Sequence, residues 1–252
     1  AIGSTHYDTL SAAISELQEE TKTNILLLDN VTEVVTIPAN RNITLDLAGY
    51  TLKNNETPQD NNTNANDRHH TVTNNGTLTI VDSSSTKTGR VDNVSHGKGA
   101  LVNYGTATLN GGTFTRSEEA STSPTDNGGN SWYVIDNQGN MTIDGATVTN
   151  KGYYSSLIRN FGKSNENVAT LTVTSGILSN EQFIAVKNDD YGKLKLTGGT
   201  ITSGDQAVQN WNEATISGGN LTGSVIIWSY TGHPSSTTIS GETTITGDVK
   251  AV

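Results

Sequence analysis

The chain has 252 residues, a formal net charge of -10 and no cysteine. Without cysteine there is no disulfide stapling, thiol catalysis or Cys-ligated zinc, and 15 Lys and Arg against 25 Asp and Glu leave no basic cluster to displace counterions from a phosphate backbone, so nucleic acid is excluded as a partner. Hydrophobic residues make up 32% and charged residues 16%, with Thr, Asn, Ser and Gly prominent, which is the profile of an all-β chain rather than of a helical or disordered one.

In chain order, "DTLSAAISELQEE" opens with Asp8 as a helix N-cap and sets Leu10, Ala13, Ile14 and Leu17 on one face. The spacing predicts a helix over 8–20 that caps the open end of a β structure, whose coils fill 25–247 of a single 1–252 domain. "NILLLDNVTEVVTIPANRNITLDLAGYTL" then supplies the first strands. No apolar run approaches the roughly 18 residues of a membrane span, so no membrane insertion is expected.

Self-similarity follows. "VTNNGTLTIVD" from Val72, "ALVNYGTATLNGGTF" from Ala100, "VIDNQGNMTIDGATV" from Val134, "LIRNFG" from Leu157, "AVKNDDYGKLKLTGGTI" from Ala185, "AVQNWNEATISGGNL" from Ala207 and "IIWSYTG" from Ile226 share one plan. A short apolar strand ends at Asn, a Gly-containing turn leads to an alternating strand, and a small-residue corner leads to a third, giving three strands per coil. Asn74, Asn103, Asn137, Asn160, Asn188 and Asn210 align, with Ser229 taking the place in the last unit. A solenoid whose corners accept insertions tolerates their uneven spacing, and stacked Asn side chains can hydrogen-bond along the ladder at about 4.8 Å per coil. Alternation then points Val72, Leu101, Ile135, Ile158, Val186, Val208 and Ile227 inward on the first strand, and Ile80, Leu109, Ile143, Val173, Leu196, Ile216 and Ile239 on the second. Thr-x-Thr pairs such as Thr113/Thr115, Thr147/Thr149 and Thr200/Thr202 recur on the third.

The helix with "TLSAAI", the segment "ILLLDNVTEVVTIPANRNITLDLAGYTLKN" and the Gly-cornered units resemble the right-handed parallel β-helix of the pectate-lyase-like superfamily, in particular repeat-bearing surface proteins and adhesins of Gram-positive bacteria. The resemblance implies an extracellular, cell-surface, monomeric module of a larger protein, with a glycan or glycoprotein on a host or plant surface as partner. Because this fold carries lyases, hydrolases, adhesins and spacers alike, it does not by itself choose among them.

Two arrangements bear on that choice. "NDD" at Asn188 to Asp190 is like one element of polygalacturonase-type hydrolases, but Asn188 is a ladder residue and Asp189 stands where other units have Asn75, Tyr104, Gln138, Phe161, Trp211 and Tyr230. One position before the ladder, Thr73, Val102, Asp136, Arg159, Lys187, Gln209 and Trp228 form an outward row. In an enzyme, Asp136, Arg159 and Lys187 would be the catalytic candidates, acting on an acidic polysaccharide. Pectate lyases resemble this row in placing Ca²⁺-binding carboxylates beside a basic residue, yet Ca²⁺ takes about six to eight oxygen ligands and Asp136 is the row's one carboxylate, so no cofactor is expected. His69 and His70 show no recognised metal-ligand spacing.

The scarce aromatics are placed informatively. Trp132 and Tyr133 follow the insertion 115–131, Tyr153 and Tyr154 occupy the corresponding connection one coil later, and Tyr104, Trp211 and Tyr230 share the post-ladder position, with Trp228 beside them. Together with Arg159 and Lys187 they are the expected ligand-binding residues, in a groove beside the first-strand face walled by the insertions 54–70 and 115–131. The expectation is a non-catalytic adhesin module; a lyase or hydrolase and a rigid spacer are the alternatives.

Overall fold

A computed structural model describes residues 1–55, 68–95, 97–117, 132–150 and 156–252. Every ladder between its named strands is parallel, and the strands fall into three stacks. The first runs through Val35–Ile37, Val72–Asn74, Leu101–Asn103, Ile135–Asn137, Ile158–Asn160, Val186–Asn188, residues 208–210 and 225–227, and Val249–Ala251. The second runs from Lys22–Leu26 through Asn42–Asp46, Thr77–Val81 and Thr106–Leu109 to Ser236–Thr246. Val31–Thr32, Thr51–Lys53, Arg90–Asp92 and Thr113–Thr115 begin the third. The chain is a parallel β-solenoid with three strands per coil.

Glycine makes this stacking sterically feasible. The corner after the second strand turns at Gly145, Gly176 and Gly199 with φ of 103°, 109° and 90°, a left-handed backbone that side-chain-bearing residues adopt only under strain. In the turn after the ladder, a Cβ on Gly139 would lie 2.2 Å from the Gly105 carbonyl oxygen of the preceding coil. At these corners two backbones meet where no side chain fits.

Inside, one apolar cluster runs the length of the coils. Of the inward positions expected from alternation, those from Val72 to Val208 and from Ile80 to Ile216 are buried. The exceptions lie in the last coil: Ile227 is half-buried, and Ile239 is 40% exposed because, among the described residues, Ser236–Thr246 pairs with Glu213–Ile227 on one side and with no strand on the other. The register of that coil also corrects the alignment. Val225, Ile226 and Ile227 face Val208, Gln209 and Asn210, two residues earlier than the repeat pattern places them. The cause is the preceding corner: residues 203–207 form the connection in one coil, and Gly223, at φ 115°, with Ser224 does the same work in the next.

The capping helix is shorter than 8–20 and starts later. It spans Leu10–Ser15, and Thr9 rather than Asp8 is the N-cap, its Oγ1 accepting the Ala12 N–H at 3.0 Å. The Glu33 carboxylate accepts from the Leu10 N–H at 2.6 Å and from the Ser11 N–H at 3.2 Å, so a side chain of the first coil holds the helix N-terminus by satisfying its unpaired donors. Leu10, Ala13, Ile14 and Leu17 are buried as expected.

The aligned asparagines form the ladder, with every member fully buried. Each Nδ2 donates to the next Oδ1: Asn74 to Asn103 at 2.6 Å, Asn103 to Asn137 at 2.8 Å, Asn137 to Asn160 at 2.7 Å, Asn160 to Asn188 at 2.8 Å and Asn188 to Asn210 at 2.7 Å. The other Nδ2 hydrogen goes to a backbone carbonyl of the next coil, those of Thr106, Asn140, Thr170, Lys193, Glu213 and Ser236 in turn. Ile37 precedes the run and Ile227, not Ser229, follows it. Replacing Asn137 by Leu keeps the volume but strands the Asn103 donor and the Asn160 and Thr170 acceptors. We expect it to lower the unfolding free energy by about 3–5 kcal/mol in urea titration, whereas the outward Thr142→Ala should change it by less than about 0.5 kcal/mol.

Candidate functional site

The residue after each ladder position makes the same backbone bond, donating its N–H to the carbonyl of the ladder residue one coil earlier. Tyr104 bonds Asn74 at 2.8 Å, Gln138 bonds Asn103 at 2.7 Å, Phe161 bonds Asn137 at 2.9 Å, Asp189 bonds Asn160 at 2.9 Å, Trp211 bonds Asn188 at 2.7 Å and Trp228 bonds Asn210 at 2.8 Å. These side chains therefore form one column along the solenoid axis, with about 4.8 Å between neighbours. Four of the six carry rings. Trp228 belongs to this column and not to the outward row, and Tyr230 lies outside it; both corrections follow from the shortened corner at Gly223. Ile226 takes the row place beside Gln209.

Trp211 and Trp228 stack at 5.0 Å between centroids and 9° between planes, as one ring per coil dictates. Tyr230 sits in the turn beyond, stacked on His233 at 4.7 Å and tilted toward Trp211 at 6.2 Å; its hydroxyl donates to Asp190 at 3.0 Å. Tyr191 meets His233 edge-on at 5.6 Å. At the other end of the column Tyr104 is 45% exposed, with the Lys163 ammonium 5.6 Å from its ring.

The outward row is in register from Val102 through Asp136, Arg159 and Lys187 to Gln209, but it is not a row of free charges. The Asp136 side chain is 1% exposed. Arg159 grips it with one edge, Nε to Oδ1 and Nη2 to Oδ2, each at 2.8 Å, and Gln138 Nε2 donates to Oδ2 at 3.0 Å. Rings then cover the guanidinium: Phe161 lies 4.8 Å from its carbon, Tyr133 5.0 Å and Trp132 5.9 Å. A planar, weakly hydrated cation suits such a sandwich, so the pair closes over the ladder instead of facing solvent. Trp132, Tyr133 and Phe161 are half-buried and pack on Arg159, and Trp132 and Tyr133 also pack on each other. Lys187 pairs with Asp189 at 3.1 Å, so the two adjacent acids have separate partners, Asp189 a lysine and Asp190 a tyrosine hydroxyl. Tyr153, Tyr154 and most of the insertions at 54–70 and 115–131 fall outside the described residues.

His70 abuts this cluster, 6.1 Å from the Trp132 ring. Its Nδ1 accepts the Gly99 N–H at 2.9 Å, a role only the unprotonated nitrogen can fill. Burial, reinforced by the Lys98 charge, lowers its pKa from 6.5 to about 4. Among the described residues no group of three or more His, Asp or Glu is placed to hold a metal ion. A comparison with protein families, with curated proteins and with solved structures found no match to this chain.

Sequence reasoning set Asp136 beside Arg159 in one outward row but placed that row in solvent, where the structure buries Asp136, and it did not anticipate the pairing of Lys187 with Asp189. An Asp and an Arg at one position on successive coils was signal enough for the first pairing. Lys187 and Asp189 lie two apart across the end of Val186–Asn188, close enough in the chain for their side chains to meet, which was signal enough for the second.

Removing the Arg159 side chain leaves Asp136 buried and unpaired. Arg159→Ala should cost about 3–5 kcal/mol in urea unfolding, with the Asp136→Ala/Arg159→Ala double variant costing clearly less than the sum of the singles. His70 predicts a pH dependence. Its folded pKa lies below the unfolded one, so its contribution is complete above about pH 6.5 and is lost as the pH falls toward 4. His70→Gln keeps an acceptor for Gly99 without titrating, and should flatten the stability profile in that window by thermal unfolding.

Proposed function

We propose that this β-solenoid is a non-catalytic binding module, presented on a bacterial cell surface by a larger protein, that recognises carbohydrate or a glycosylated protein along the ring column. The observation that carries the reading is the column itself: Tyr104, Phe161, Trp211 and Trp228 held at one position of their coils by identical backbone bonds, with Gln138 and Asp189 at the two coils between. A rigid line of rings with amide side chains beside it suits the apolar faces and hydroxyls of a sugar chain and needs little ordering on binding. Among the described residues Tyr104 and Tyr230 are the most exposed Tyr, Trp or Phe rings, at 45% and 43%. Trp132 and Tyr133 support the site by packing on Arg159. The surface location rests on the resemblance to Gram-positive adhesins.

Hydrolysis or eliminative cleavage of an acidic polymer is the weaker reading, because Asp136, Arg159 and Lys187 are engaged with partners inside the fold. A spacer without a ligand has one observation in its favour, the ring-on-ring stacking of Trp211 and Trp228, which the fold alone can explain. A screen of the purified protein against glycans and mucins separates these readings. We expect binding that Tyr104→Ala and Trp228→Ala each weaken by about tenfold or more, with the urea midpoint unchanged for the exposed Tyr104→Ala. Binding indifferent to both substitutions, or none at all, contradicts the proposal, and none at all favours the spacer.

A further inference from the structure

We infer that the ligand of the ring column is an uncharged glycan, an inference that rests on the glycan-binding reading above. A binding face for uronic, sialylated or sulfated sugars needs cations free to meet the anion, and two of the three cations here, Arg159 and Lys187, are already paired with acids. Arg159 commits its Nε/Nη2 edge to Asp136, and Phe161, Tyr133 and Trp132 lie against its guanidinium. A ligand carboxylate competing for that edge would have to displace an acid whose side chain is 1% exposed, and an unpaired buried charge is strongly unfavourable. Lys187 would have to exchange Asp189 for the ligand. The exchange would leave Asp189 unpaired beside an incoming charge of the same sign, with Asp190 next to it in the chain.

The balance around the column is neutral: Arg159, Lys187 and Lys163 contribute three positive charges, and Asp136, Asp189 and Asp190 three negative ones. The exposed Lys163 ammonium stands over the Tyr104 ring, where a sugar stacking on that ring would meet it as a donor to hydroxyl oxygen. The chain as a whole, at -10, repels polyanions at long range. The remaining groups on the column are ring faces and the Gln138 amide, which match C–H faces and hydroxyls.

Matched polymers test this: sialylated mucin and the same mucin after sialidase, and polygalacturonate and its carboxyl-reduced form, each titrated against the purified protein. We expect the uncharged member of a pair to bind at least as tightly as the charged one, with a Kd that changes less than about twofold over an about tenfold rise in NaCl. Asp189→Asn, which releases Lys187, should raise affinity for the charged members by about fivefold or more. Binding confined to the charged members, lost on sialidase treatment, carboxyl reduction or added salt, overturns the inference and leaves the glycan reading standing. An Asp189→Asn variant with no gain for the charged members also overturns it. Failure of all four polymers to bind overturns both.

Discussion

The buried amide ladder is the constraint from which the rest of the structure follows. An Asn side chain in an apolar interior is costly unless its donors and acceptor are satisfied, and in this chain the ladder members are satisfied by their counterparts in the adjacent coils and by a carbonyl of the next coil, with longer bonds to the turn of their own coil beside them. The requirement repeats down the stack, so each coil is positioned by its neighbour. A slip of one residue would expose the inward apolar set and also strand every amide in the run. Chains of such bonds polarise one another, which favours a continuous run over isolated pairs, and the run from Asn74 to Asn210 is unbroken.

The ring column is a consequence of that register. Because the ladder residue is fixed, the next residue is fixed too, and whatever side chain stands there projects at one place on successive coils. The row on the other side of the ladder is fixed by the same logic, which brings Asp136 and Arg159 face to face and sets Lys187 beside Arg159. The same alignment that made this row look like a catalytic or anion-binding strip is what lets its charges neutralise one another.

Most of the fold could be read from the sequence because its information is local and repeated: apolar alternation, an Asn at each first-strand end, a glycine at each corner. The departures are where repetition fails. Gly223 with Ser224 shortens one corner, and pattern alignment then places Ile227, Trp228 and Ser229 two residues out of step. Asp8 and Thr9 are both good helix caps, and only the reach of Glu33 to the Leu10 and Ser11 amides fixes the start. Exposure was the least legible property. Alternation says that Asp136 points away from the core, but not that Arg159, Phe161, Tyr133 and Trp132 would fold over it, since that depends on side chains from three coils meeting in space.

The ladder is tested most directly by hydrogen exchange of side-chain amides, followed by NMR under native conditions. If the account is right, the Nδ2 hydrogens of Asn103, Asn137, Asn160 and Asn188 exchange only through global unfolding, with protection matching the most stable backbone amides, while the exposed Asn220 exchanges at once. Rapid exchange at the four interior positions would mean that the amides are not locked to one another, and would contradict the claim that the ladder sets the register on which the ring column depends.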